Sequence, residues 1–277
     1  MRIDSHHHFW KFSQAAYPWI DARMSVLQRD FLPEDLKREI TGLGIDGVVS
    51  VQARQSLEET EWLLELASQH DFIRGVVGWI PLQSQDAQSE IERLSHNDLL
   101  KSVRHVVQDE PDDAFLLGEE FNRGVTWLKD YGLVYDILIF ARQLPNTVRF
   151  VDQHPDQEFV LDHIAKPTIA AANFDHLWAK HFRELAKRPN VTCKFSALVT
   201  EVRDLEWTVS GLQPYWDVAL EAFSPQRLMF GSDWPVCLLR SQYAAWLEAV
   251  EQLAAQLTPS EREQFWHQTA TRAYHLR

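Results

Sequence analysis

Ile3-Asp4-Ser5-His6-His7-His8-Phe9-Trp10 opens the chain, an apolar-bounded stretch that delivers three consecutive histidines. An extended strand alternates its side chains between two faces, which predicts Asp4, His6 and His8 on one side and His7 on the other. Two imidazoles side by side at a strand end can hold a metal, bind an anion or relay a proton. Three histidines set inside Asp-Ser and Phe-Trp make a poor affinity tag. The pair needs partners from elsewhere in the chain, and the rhythm of the remaining apolar segments says where they come from.

Seven more segments read as buried strands, at residues 47–53, 73–81, 100–107, 133–140, 158–164, 191–198 and 227–233. Between them lie segments with helical periodicity, among them 57–70, 86–94 and 113–130, and Pro33-Glu34-Asp35 carries the proline-then-acid signal of a helix start. A last helix is predicted over 260–276, where Thr258-Pro259-Ser260-Glu261 supplies the cap. Eight strands alternating with helices predict an α/β fold, a closed parallel (β/α)8 barrel of the TIM type. No linker composition or repeat interrupts the alternation, so residues 1–277 are expected to form a single barrel domain. The connection 11–30, holding Tyr17-Pro18-Trp19-Ile20, is long enough to be a lid over the barrel mouth.

The chain has 277 residues, 45% of them hydrophobic and 11 of them tryptophan, enough to fill a sizeable core. Its formal charge of −13 argues against coating nucleic acid or an anionic membrane, and the expected partner is a small molecule. Cys193 and Cys237 make neither a disulfide framework nor a metal knuckle. With no signal-peptide pattern and no run of eighteen apolar residues, the expectation is a cytoplasmic protein, monomer or homodimer.

In such a barrel the active site lies at the C-terminal strand ends. That rule selects His6 and His8 from the first strand, Arg104 from the fourth, Tyr135 or Asp136 from the fifth, His163 from the sixth, Lys194 from the seventh and Asp233 from the eighth. Asp233, after Phe230-Gly231-Ser232, is placed to take a proton from water. The competing role, a helix cap, is weakened by Trp234-Pro235-Val236, which follows in place of a helix. A guanidinium inside a barrel requires an anion or a carbonyl, and Asp109, Glu110 or a substrate oxygen are the candidates for Arg104. For Lys194 an internal salt bridge and a catalytic role stand level.

Taken together, Asp-x-His-x-His at strand one, Tyr-Pro-Trp-Ile in the first loop, Ser-Val-Arg-His, Tyr-Asp at strand five, Leu-Asp-His-x-x-Lys-Pro at strand six and Gly-Ser-Asp-Trp-Pro-Val at strand eight resemble the amidohydrolase superfamily. More narrowly they resemble its second family and the sugar-lactone hydrolase branch within it, from Asp4 to about Tyr274. By that resemblance His6, His8, His163 and Asp233 match the family's strand-one pair, strand-six histidine and strand-eight aspartate. The strand-five histidine of metal-binding members is missing, its place taken by Val134-Tyr135-Asp136-Ile137.

The resemblance implies a hydrolase that opens a small sugar lactone, of the L-fucono- or L-rhamnono-lactone type, to the aldonic acid. Asp233 is then the expected general base, with Arg104 and the histidines holding the carbonyl oxygen. Trp19, Trp234 and Tyr135 are expected to stack on the sugar, and Asp136 or Lys194 to bond its hydroxyls. His6, His8 and Asp233 can form a zinc site with an open position for water, while some relatives are thought to need no metal. The expectation is therefore either no required cofactor or one divalent cation such as Zn2+. Two alternatives remain: decarboxylation of an aromatic or muconate acid, as other members of the family perform, and a non-catalytic barrel that binds a sugar acid.

Overall fold

Eight parallel strands hydrogen-bond to one another in chain order: β1 (Ile3–His7), β2 (Gly47–Val51), β3 (Ile73–Gly78), β4 (Leu100–His105), β5 (Val134–Ile137), β6 (Phe159–Leu161), β7 (Val191–Phe195) and β8 (Leu228–Phe230). This computed structural model describes residues 1–170, 173–203 and 206–277. Just beyond β8 the chain turns back onto β1, where His8 N–H donates to Trp234 O and Asp233 N–H to His6 O, both at 2.7 Å. These bonds bring the first and last strands together and close the (β/α)8 barrel.

The helices α1 (Pro33–Ile40), α2 (Leu57–Gln69), α3 (Ala87–Ser95), α4 (Glu119–Leu128), α5 (Leu144–Gln153), α6 (His176–Ala186), α7 (Val209–Arg227) and α8 (Tyr243–Leu253) follow the strands in turn. Their buried faces pack on the outer strand faces in one extensive apolar core. A second, smaller cluster joins Ile3, Val49, Val51, Val77, Val134, Val160 and Met229, with Ala270 and Tyr274 packed against them from the C-terminal segment. Val49 and Val51 of β2 enter this inner set two residues apart, the period expected of a barrel wall. No helix among the described residues is long and apolar enough to cross a membrane.

Several boundaries depart from the sequence reading, each for a local reason. The closing helix is not continuous. It runs as α9 (Pro259–Glu263), a π-helical turn over Gln264–Gln268, and α10 (Thr269–Ala273), with the Thr258–Glu261 capping box at its start. The expected strands 133–140 and 158–164 stop at Ile137 and Leu161, so the chain is already turning when it reaches His163. On β1 the alternation is broken by one extra residue between Asp4 and His7 against β2. Asp4 therefore turns outward, accepting from Tyr243 of α8 at 3.0 Å and from Ser232 N–H at 2.8 Å, and does not share a face with His6 and His8.

Candidate active site

The strand ends surround a cavity of about 740 Å³ whose wall includes His8, Trp19, Arg54, Arg104, His163, Lys166 and Asp233. At its floor His6 Nε2 and His8 Nε2 lie 3.2 Å apart, and Asp233 Oδ1 is 3.2 Å from His8 Nε2 and 3.5 Å from His6 Nε2. His163 Nε2 stands 4.0 Å from the same oxygen. His8 Nδ1 faces the Val51 carbonyl at 2.8 Å, which puts a proton there and aims Nε2 at Asp233. Gly231 allows this crowding, because a Cβ at that position would come within 2.9 Å of His6 Cβ.

His163 sits on an uncommon backbone. His163, Ile164, Ala165 and Lys166 all have positive φ, at 52°, 45°, 60° and 48°. Left-handed backbone costs non-glycine residues about 1–2 kcal/mol each, so the surroundings must hold it. Trp178 Nε1 donates to Ile164 O at 2.6 Å, Lys166 N–H closes the turn on His163 O at 2.8 Å, and Ser196 Oγ meets His163 Nδ1 at 2.8 Å. The turn sends Ile164 and Ala165 into the apolar core and His163 and Lys166 into the cavity wall. Strain concentrated at one such turn is a feature of functional sites.

Beneath His6 lies a buried ion network. Lys194 Nζ is 2.7 Å from Asp136 Oδ2, 2.9 Å from Asp162 Oδ1 and 3.1 Å from His6 Nδ1, which itself lies 3.3 Å from Asp162 Oδ1. Arg104 Nη1 reaches Asp162 Oδ2 at 2.9 Å, and its Nη2 donates to the Gln52 carbonyl. Two cations thus balance two carboxylates, the condition under which buried charge is tolerated.

Burial raises the Asp233 carboxyl, but His163, His8 and Lys166 outweigh it and hold the group below its ordinary value. Burial likewise pushes His163 down to about 3, against the opposing pull of Asp233 and Asp162. Desolvation and then Lys194 hold His6 well below its usual range. The resulting arrangement is an ionised Asp233 carboxylate in a site where burial disfavours the charged forms of His6 and His163, a setting in which the carboxylate can act as a general base.

The donor set also suits a divalent metal. Tetrahedral zinc with nitrogen and oxygen ligands near 2.0–2.1 Å spaces its donors by roughly 3.3 Å, close to the separations of the His6, His8 and Asp233 atoms. A second candidate set, His6, Asp162 and His163, is less suited because Lys194 and Arg104 already engage Asp162.

Of the residues selected from sequence, His8, Arg104, His163 and Asp233 line the cavity with His6 packed directly behind them, and Trp19 stands in its wall with Nε1 bonded to Ala53 O at 3.0 Å. The others do not line the cavity. Tyr135 points to the helix layer among Phe121, Phe150 and Phe159, because alternation along β5 turns its neighbour Asp136 inward. Trp234 is fully buried, edge-on to Phe31. Asp136 and Lys194 are spent on each other and on Asp162. The partners of Arg104 are Asp162 and the Gln52 carbonyl in place of Asp109 or Glu110, and Glu110 takes His105 at 2.7 Å instead. Sequence reasoning assigned no role to Asp162, Lys166 or Ser196. For the first two the signal was present, a charged residue on either side of His163 in an otherwise apolar segment.

The family model described as amidohydrolase matches residues 3–276. An L-fucono-1,5-lactonase of Burkholderia multivorans is 43% identical over 100% of this chain and 96% of that protein. One of Burkholderia ambifaria is 32% identical over 99% and 96%. A crystal structure of a Burkholderia multivorans amidohydrolase with bound zinc superposes with a TM-score of 0.95 at 43% identity, covering both chains fully. On its family match and on these relatives, the chain belongs to the amidohydrolase family.

Proposed function

We propose that this chain is a lactonase that hydrolyses a small sugar lactone of the L-fucono-1,5-lactone type to its aldonic acid, acting as one barrel domain. The similarity to proteins named L-fucono-1,5-lactonase supports the substrate class. The observation that carries the reading is the Asp233 carboxylate, held ionised at the floor of an open cavity between His8 and His163.

Water poised on Asp233 attacks the lactone carbonyl carbon, forming the new C–O bond while its proton passes to the Asp233 carboxylate. Arg104, fixed by Asp162 and the Gln52 carbonyl, presents its guanidinium edge to the carbonyl oxygen as negative charge gathers there. The ring C–O bond then breaks, and the departing ring oxygen takes the proton back from Asp233 as a hydroxyl. The aldonic acid ionises on release, so one water is consumed and one proton appears. Trp19 offers an aromatic face in the cavity wall for the C–H side of the sugar. His6, His8 and Asp233 would hold a divalent cation, which when bound supplies Lewis-acid polarisation and a more acidic water. Turnover is expected to survive without it.

The test is the initial rate of proton release on a panel of sugar lactones, before and after chelation, for the wild type and Asp233→Asn. Turnover by the wild type and a loss of several orders of magnitude in the variant are expected. Near-normal rates in Asp233→Asn would remove the base from Asp233, and no turnover on any lactone would end the lactonase reading.

A further inference from the structure

Three arginine or lysine side chains line the cavity. Arg104 is paired with Asp162 at 2.9 Å, and Arg54 lies 3.2 Å from Glu58 and 3.8 Å from Glu59. Lys166 has no carboxylate partner among the described residues, and its ammonium lies only over the Phe140 ring, 5.6 Å from the centroid. The protein nonetheless holds this residue in place with a left-handed turn of four non-glycine residues, which puts Lys166 and His163 on the cavity side.

A cation at a reaction site with no carboxylate within ion-pair distance among the described residues is complementary to a charge that appears only during the reaction. Lactone hydrolysis creates one such charge, because a neutral ester becomes a carboxylate. Building on the lactonase reading, we infer that Lys166 is a catalytic residue that binds the lactone carbonyl oxygen as it becomes anionic and then the carboxylate of the opened aldonate. No covalent bond to Lys166 is involved, and its ammonium keeps its protons throughout. The neutral substrate gains little from the ammonium, so the contact favours the transition state and product over the ground state. The same positive charge contributes to holding Asp233 ionised.

The experiment compares the wild type, Lys166→Met and Lys166→Arg. Calorimetry measures binding of L-fuconate and of L-fucitol, which lacks the carboxylate, and kinetics on L-fucono-1,5-lactone give kcat and KM. For Lys166→Met the expected result is fuconate binding weakened by about tenfold or more with fucitol binding unchanged, and kcat down by about 10²-fold with KM little altered. Lys166→Arg should restore much of the fuconate affinity. A structural role would weaken both ligands alike and would not be rescued by arginine, and equal loss of both overturns the assignment. Fuconate binding as tight in Lys166→Met as in the wild type overturns it too, as does absence of fuconate binding to the wild type. The binding arm needs no turnover, so an inactive wild type that still binds fuconate through Lys166 would defeat the lactonase reading alone.

Discussion

The Tyr274 hydroxyl donates to Asp136 Oδ2 at 2.6 Å, so the last turn of the chain reaches into the barrel and touches the same carboxylate oxygen as Lys194. Tyr274 is fully buried among the inner residues Ile3, Val49 and Met229. It forms the apolar plug of the barrel and also the lowest link of the network that ends at His6 and Arg104. Replacing Tyr274 by Phe keeps the plug and removes one donor from a buried carboxylate, for which a cost of about 1–3 kcal/mol is expected. Urea unfolding of Tyr274→Phe should show that loss as a lower midpoint at unchanged slope. An unaltered midpoint would mean that Ser102 and Lys194 satisfy Asp136 without it.

Arg104 is held at two points in different directions, the Asp162 carboxylate and the Gln52 carbonyl. Lysine carries the same charge but lacks the planar fork that spans both. Arg104→Lys is therefore expected to fold and to lower kcat by about 10²–10³-fold, the effect of losing one donor to a developing oxyanion. Steady-state kinetics decide the matter, and an unchanged kcat would take Arg104 out of the reaction.

The barrel was legible because strand and helix periods alternate without interruption, and the strand-end rule selects His6, His8, Arg104, His163 and Asp233, which the structure brings together. What misled the reading was side-chain direction. Strand alternation predicted Asp4 beside His6, and a single extra residue in β1 reversed it. The strand-end rule selects Tyr135 or Asp136 without choosing between them, and since a strand turns only one of two neighbours inward, the pairing register decides for Asp136. Trp234 reads as a mouth aromatic from its place after Asp233, but nothing in the sequence shows that Phe31 and Phe9 close over it. The left-handed turn at 163–166 was illegible for a related reason, since Ile-Ala carries no glycine to announce positive φ and depends on Trp178, distant in sequence, to hold it.

His6, His8 and Asp233 make a metal test independent of activity. Zinc titrated into chelator-treated protein is expected to bind at one site and raise the unfolding temperature, as any ligand of the native state does. His8→Gln, which removes the imidazole nitrogen 3.2 Å from Asp233, should abolish that stabilisation. The turnover of chelated wild type on a sugar lactone is expected to persist. Equal zinc stabilisation in His8→Gln would place the ion elsewhere.

Glu59 gives a prediction in pH, remote from the reacting atoms. Its Oε2 accepts from the backbone N–H groups of Ala53 and Arg54, each at 2.8 Å, and its Oε1 from the Tyr17 hydroxyl at 2.8 Å. Ala53 in turn accepts from Trp19 Nε1, so one carboxylate fixes both the loop after β2 and the first long connection where they border the cavity. Burial raises the Glu59 carboxyl, and the donors from Arg54, Tyr17 and Ala53 only partly offset it. A carboxyl that is harder to ionise in the folded state holds its proton over a pH range where the unfolded chain has lost it. In that range the native state binds more protons, so stability falls as pH rises, and it levels off above the folded pKa. Glu59→Gln keeps the side chain's shape and one acceptor oxygen for Ala53 and Arg54, turns its amide toward Tyr17, and has nothing to titrate. The unfolding free energy of the wild type minus that of Glu59→Gln should therefore decrease from about pH 4 upward and then become flat, a window set by the ordinary glutamate value and its raised counterpart. Urea unfolding of both proteins across that range measures the difference. A difference that grows with pH would mean that the three donors outweigh burial and that Glu59 is a stabilising anion at neutral pH.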